Sequence, residues 1–315
     1  MKHFNSNKWN STKIFIYTLL FFVLVASGCK KEPNIIKNNT PPDYTFIPTV
    51  TIENYVNKIY LDLLGRDALP SEMQRDVALL KQHNLNDSIR IVIVTRLQND
   101  TTFSVGDSSY YIAYCNRFYS MLKNRMLEGV EDDYIDENIG TTFTELNGAT
   151  QAGDSAKAAR ARMKIQGMRD VLAIRYDQRG SNGIGLDSIY FRLLNNWVYD
   201  QINMNTFNFI NASFDNLFYR FPTNNEFEVG YAMVENNESG SLLGLSGSSR
   251  SDYLYIMTRS KEFYEGLVTW CVRSLLSRNP NANEFAKLTP LIQSTKNFRK
   301  LQIEIMKTDE YANIK

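Results

Sequence analysis

Histidine is nearly missing from this chain: 315 residues hold only His3 and His83. Ser–His–Asp and Cys–His catalysis both need a histidine base, and zinc sites built on several His and Cys ligands need more of them. His83 lies in Lys81-Gln82-His83-Asn84-Leu85 and reads as a polar helix end. Cysteine is almost as scarce. Cys29, Cys115 and Cys271 are too few for a disulfide-built scaffold. An excess of either charge is also lacking, with 35 Lys+Arg against 34 Asp+Glu. That balance removes the basic footprint of a nucleic-acid binder, so no nucleic acid is expected as a partner. No long glycine motif carries a cofactor. Gly180-Ser181-Asn182-Gly183-Ile184-Gly185 has the wrong spacing for a dinucleotide fingerprint and no Lys-Ser/Thr follows it. Gly244-Leu245-Ser246-Gly247 falls short of a G-x-S-x-G nucleophile elbow. Both stretches, the second within a Gly- and Ser-rich loop over 240–251, are expected to be loops, and no cofactor is expected.

What the chain does have is apolar mass. Hydrophobic residues make up 43% and aromatics 12%, enough for a globular core. The longest apolar run, Ile14 to Val25, is shorter than the roughly 20 residues of a comfortable membrane span. Lys2, Lys8 and Lys13 precede it, and Ala26-Ser27-Gly28-Cys29 follows. Positive n-region, short apolar region and small residues before a cysteine are the order of a secretory signal. The segment resembles the bacterial lipoprotein signal (lipobox), with Ala26 where that pattern most often has Leu. The resemblance implies cleavage before Cys29, acylation of Cys29, and a protein anchored to the cell envelope, at the outer membrane, through an N-terminal lipid. A chain beginning at Cys29 keeps 32 basic and 34 acidic side chains.

Residues 1–28 are thus read as signal peptide and 29–50 as a flexible tether, since Pro, Asn and Lys appear there without apolar periodicity. Helical spacing takes over beyond it. Val56, Ile59, Tyr60, Leu63 and Leu64 fall at i, i+3, i+4, i+7 and i+8 and form one buried helix face. Gly65-Arg66 stops that helix. Pro70-Ser71-Glu72 starts another, to about His83, and a third runs from about Asp87 to Leu97.

A self-similar pattern emerges on comparing distant segments. Leu63-Leu64-Gly65-Arg66 with Glu72 returns as Leu217-Phe218-Tyr219-Arg220 with Glu226, and as Leu275-Leu276-Ser277-Arg278 with Glu284. The Arg-to-Glu spacing is identical and ungapped. Closing tags are read at Asn99-Asp100-Thr101-Thr102-Phe103, Ser260-Lys261-Glu262-Phe263 and Thr308-Asp309-Glu310-Tyr311. Thr223-x-x-Glu226 and Asn281-x-x-Glu284 are capping boxes. Leu69 cannot cap, so Ser71 is expected to cap the first copy. Arg66–Glu72, Arg220–Glu226 and Arg278–Glu284 are expected to bridge their turns as structural joints. The expected fold is all-α: a multi-helix array of three degenerate helix-turn-helix repeats, 51–103, 205–264 and 265–315, with a helical insertion over 104–204. Within that insertion Tyr111, Ile112, Cys115, Phe118, Tyr119 and Leu122 form one helix face, Asp154 to Arg175 forms a basic helix, and Glu128 to Asp154 reads as a polar stretch.

The L-L-G-R-x-P-x-x-x-E turn with its S-x-E-Y tag resembles a helical module of planctomycete cytochrome-associated proteins of unknown function. More loosely, it is similar to phycobilisome linker domains. The resemblance implies an assembly or attachment module and no catalytic residues. No C-x-x-C-H haem site accompanies it.

Other chemistry is thin. Glu128, Glu131, Asp132, Asp133, Asp136 and Glu137 are acidic enough for a hard cation but do not follow an EF-hand order. They read as a solvated surface, and no metal site is expected. Asp87-Ser88-Ile89, Asp100-Thr101-Thr102, Asp154-Ser155-Ala156 and Asp187-Ser188-Ile189 resemble the O-glycosylation acceptors of Bacteroidota secretory proteins; three of them also stand where a helix begins, and helix capping by Asp or Ser explains those equally. Cys115 and Cys271 lie on apolar faces and are expected to be free, buried thiols. The sequence therefore favours a lipid-anchored envelope module that holds a protein partner. Two alternatives stand beside it: a surface glycan-active enzyme using carboxylates, and a glycan-binding lipoprotein that stacks sugars on some of its 18 Tyr and 18 Phe.

Overall fold

The computed structural model describes residues 47–178 and 183–314. The signal segment, Cys29 and most of the tether, with Gly180, Ser181 and Asn182, lie outside the described residues. Among the described residues the chain is all-α apart from one short hairpin. The first helix, α1 (Thr49–Leu64), begins inside the segment read as tether and buries Ile52, Tyr55, Val56, Ile59, Tyr60, Leu63 and Leu64 on one face. Its last turn closes on Gly65, whose φ of 77° is left-handed. Glycine adopts this conformation without a Cβ penalty.

Helices α2 (Pro70–Gln82) and α3 (Asp87–Asn99) follow. Leu69, not Ser71, holds the N-cap position of α2, and Pro70 fills the first helical position, where its missing N–H costs nothing. Then come α4 (Tyr110–Met126), α5 (Asp132–Gln151) and α6 (Ser155–Asp177). The stretch read as polar between Glu128 and Asp154 is thus mostly helix. Ile135, Ile139, Thr142 and Ala149 give α5 a buried face of small and β-branched residues, and it packs lengthwise on α6.

Two short helices, α7 (Leu186–Leu194) and α8 (Trp197–Asn203), lead to α9 (Thr206–Phe218) and α10 (Asn224–Tyr231). A π-helical turn, Ala232–Asn236, extends α10. The Gly- and Ser-rich loop expected over 240–251 contains an antiparallel hairpin, β1 (Gly240–Leu242) and β2 (Leu245–Gly247), with Leu242 paired to Leu245. Leu243 and Gly244 turn it with φ of 50° and 81°, the left-handed pair that a two-residue hairpin loop requires. The chain ends with α11 (Arg250–Met257), α12 (Lys261–Leu276), α13 (Ala282–Thr295), α14 (Phe298–Met306) and α15 (Asp309–Ala312).

Neighbouring helices pair around one apolar core, and the last ones return to the first: α14 packs on α3, and α15 on α1. Tyr55 donates its hydroxyl hydrogen to the Met306 carbonyl at 2.9 Å, and Tyr311 to Asp62 at 2.7 Å. Fully buried Arg90 reaches the Lys307 carbonyl and Asp309. The crossing of α9 and α12 depends on Gly266. A Cβ there would sit 1.8 Å from the Leu217 carbonyl oxygen, so any side chain would force the helices apart. Among the described residues no helix is long and apolar enough to cross a membrane.

Candidate functional site

Each arginine–glutamate pair occupies the turn between two helices. The turns follow α1, α9 and α12, and in each the residue before the arginine is left-handed: Gly65, then Tyr219 and Ser277 with φ of 60° and 55°. That backbone reversal throws the arginine across the start of the next helix. The glutamate there stands at the third helical position, where it accepts the N-cap backbone N–H: Leu69 to Glu72 at 2.7 Å, Thr223 to Glu226 and Asn281 to Glu284 at 2.8 Å. Thr223 and Asn281 complete capping boxes by accepting the glutamate N–H. In the first turn only the glutamate half is possible, because leucine has no acceptor.

A third residue closes each clamp. It is Asp107 for Arg66, Glu262 for Arg220 and Glu310 for Arg278. Arg66 donates through Nη1 and Nη2 to Glu72 at 2.8 and 2.9 Å, and through Nε and Nη2 to Asp107 at 3.0 and 2.7 Å. A last Nη1 bond goes to the Asp67 carbonyl at 2.9 Å. Arg220 and Arg278 repeat this pattern, their carbonyl acceptors being Phe221 and Asn279, both at 3.0 Å. A guanidinium has five N–H donors, and all are used in each clamp. Asp107, one methylene shorter than Glu262 and Glu310, serves Nε and Nη2 with the same oxygen.

The closing acids lie 41, 42 and 32 residues beyond their arginines. Glu262 and Glu310 belong to the expected tags. The tag over 99–103 does not supply the first acid. Asp100 there folds back on Thr102, and Asp107 reaches Arg66 from a small turn bridged between Ser104 and Asp107.

Burial grades the clamps. The side chain of Glu72 is 5% exposed, against 17% for Glu226 and 22% for Glu284. Hydrogen bonds from Arg220, and then from Thr223, outweigh burial and hold the Glu226 carboxyl at about 2. Burial pushes Glu72 upward, but Arg66, the Leu69 N–H and the Tyr110 hydroxyl together bring it below the ordinary carboxylate range.

Behind the first clamp lies a polar network that the sequence reading missed. Tyr110 donates to Glu72 at 2.7 Å, and Arg75 donates to the Tyr110 and Tyr60 hydroxyls at 3.2 and 2.9 Å. Tyr60 in turn donates to Asp76 at 2.9 Å. Asp76 is wholly buried and paired with Arg75 at 2.9 Å and Arg96 at 2.6 Å. Its signal in the sequence was Glu72-x-x-x-Asp76, two acids one helical turn apart on the α2 face that also carries Leu80.

The remaining candidates are accounted for locally. In the acidic cluster Asp132 pairs with Lys123 at 2.6 Å and Arg175 at 3.3 Å, and accepts from Tyr119 at 2.8 Å. Among the described residues no group of three His, Cys, Asp or Glu side chains is placed to hold a metal ion. Asp154 is the N-cap of α6, while Asp187 is buried between Lys296 and Arg259. His83 is the exposed C-cap of α2, and Cys115 and Cys271 are buried thiols, the first accepting a hydrogen bond from Arg299. Compared with known families, curated proteins and solved structures, the chain matches none of them.

Proposed function

We propose that this protein is a lipid-anchored attachment module of the cell envelope, built from three divergent copies of one helix-turn-helix unit and a helical insertion. One observation carries the reading. Every donor of Arg66, Arg220 and Arg278 is spent on the chain's own carboxylates and carbonyls, so the most regular polar feature is a joint rather than a substrate site. A fold that commits its arginines to fastening helices serves as a rigid body offering a surface. In this reading Cys29 carries the lipid, the tether lifts the helical body from the outer membrane, and an envelope protein is the partner. The resemblance of the turns to an assembly-type helical module supports the same conclusion.

The test is a pair of measurements on one folded, lipidated preparation: crosslinking with partner capture, and a screen for glycan hydrolysis. A stoichiometric envelope partner without hydrolysis is expected. Hydrolysis that disappears when a single acidic residue is replaced would overturn the reading in favour of a glycan-active enzyme.

A further inference from the structure

A second set of arginines is left unsaturated. Arg117 and Arg125 on α4, with Met121 and Asn124, face Trp270 of α12 across an open cleft of about 380 Å³. Arg125 donates to the Asn216 carbonyl, and its guanidinium lies 4.2 Å from the centre of the Tyr219 ring. Arg273, one turn beyond Trp270, lies over the same ring at 4.6 Å. Arg117 runs past the α1 turn, where a Cβ on Gly65 would meet its Cδ at 3.2 Å, and its Nε is buried without a hydrogen-bond partner. Each arginine is thus fixed in place by packing, yet none has the carboxylates that Arg66, Arg220 and Arg278 receive. Among the described residues no ion pair forms at Arg117, Arg125 or Arg273. Asp62 acts on Arg117 only at longer range and is held by Tyr311, while Asp215 is the acid nearest in effect to Tyr219.

The geometry points to this cleft as the docking site for an acidic segment of a partner protein, presented as a helix with glutamates along one face. The inference deepens the attachment reading and rests on it for the partner's place in the envelope. Three features select a peptide. Arg117, Met121 and Arg125 stand at i, i+4 and i+8, so the two cations are about 12 Å apart along one ridge. Carboxylates two turns apart on a docked helix match that interval, with an apolar side chain between them for Met121. The chain's own clamps take glutamates from the first turns of helices, which is the same donor and acceptor chemistry. An acidic glycan fits less well, because a sugar needs a free aromatic face. Trp270 is only 7% exposed and is packed against Phe298 and Phe118.

The experiment uses the full chain and two fluorescein-labelled helical peptides read by anisotropy. One carries Glu at i and i+8 with Leu at i+4, and the other has Gln in place of both Glu. Binding of the Glu peptide is expected, at least tenfold tighter than the Gln peptide. Met121→Glu and Asn124→Glu keep both arginines and place a carboxylate among them that competes with the peptide's own. Each is expected to weaken the Glu peptide at least tenfold and leave Tm within about 2 °C. Equal binding of the two peptides, or unchanged binding in both variants, would overturn the proposal. So would binding of oligogalacturonate with none of the Glu peptide, which would give the cleft to a glycan. Partner capture separates this inference from the attachment reading. A partner lost in Met121→Glu supports the cleft, whereas a partner retained there refutes the cleft and leaves attachment standing.

Discussion

Three clamps with one bonding pattern and three depths of burial give an internal test of what an ion pair contributes. The perturbation is Glu72→Ala, Glu226→Ala or Glu284→Ala, each removing a two-bond contact with arginine and an acceptor for the N-cap N–H. Glu284 is the shallow case. A lost cap costs about 0.5–2 kcal/mol, and a largely solvated ion pair adds about 0–1 kcal/mol, so about 1.5 kcal/mol is expected. Glu72 is the deep case, 5% exposed. Breaking a buried pair costs about 3–5 kcal/mol because the partner is left uncompensated. Arg66 keeps Asp107, which places the figure near about 3 kcal/mol, even with the Tyr110 hydroxyl orphaned. Glu226 should fall between. Urea unfolding at pH 7, followed by far-ultraviolet circular dichroism, measures all three. Costs equal within about 0.5 kcal/mol, or a reversed order, would refute the claim that burial sets the strength of these joints.

Further expectations follow from single residues. Glu226, held at about 2 against an ordinary 4.5, binds fewer protons folded than unfolded between those values. Its stabilisation is therefore complete above about pH 4.5 and lost as pH falls through 2; Glu226→Gln should flatten the decline of Tm over that interval, and parallel curves would count against it. Cys115 and Cys271, both buried thiols, should be silent to a thiol reagent in the folded protein and should both react in urea without reductant; no reactive thiol in urea would mean a disulfide. Cys29→Ala should release the protein from the membrane fraction or block its maturation, and unchanged processing with membrane retention would remove the lipid anchor.

Much of this architecture is legible where the chemistry is local. The α1 face was visible because its large apolar residues recur at helical spacing, and the capping boxes of α10 and α13 because their partners are three residues apart. The Arg–Glu joint could be read from a constant six-residue interval. The closing acids could not all be found. Asp107 is 41 residues from Arg66, and no interval is shared among the three. Helix α5 hid for a different reason. Its first turns carry Asp132, Asp133, Asp136 and Glu137, which read as solvated surface and masked the apolar face that Ile135, Ile139, Thr142 and Ala149 repeat behind them. The buried Asp76 network was missed because charged residues in a sequence suggest solvent. Their burial is decided by Tyr60, Arg96 and Tyr110 arriving from other helices.

The left-handed residues ahead of the arginines separate scaffold from surface. A non-glycine residue in that conformation costs about 1–2 kcal/mol, and glycine at Gly65 avoids it. Ser277 and Tyr219 accept it. At Ser277 the adjacent clamp is the visible compensation, through Arg278 and its two carboxylates. At Tyr219 there is more: both Arg125 and Arg273 lie over its ring. Contacts of this kind contribute about 0.5–2 kcal/mol each, depending on how far they are desolvated. Two of them suffice to offset the backbone cost. A glycine at this turn would have met the demands of the clamp alone at lower cost. The tyrosine adds nothing to Arg220, whose donors are already filled, but it sets the orientation of two cations that have no carboxylate of their own. The Tyr219 ring, with the Asn216 carbonyl and the Asn279 side-chain oxygen, thus fixes Arg125 and Arg273 at the cleft proposed above for an acidic partner, and the backbone cost at Tyr219 serves that placement rather than the joint beside it.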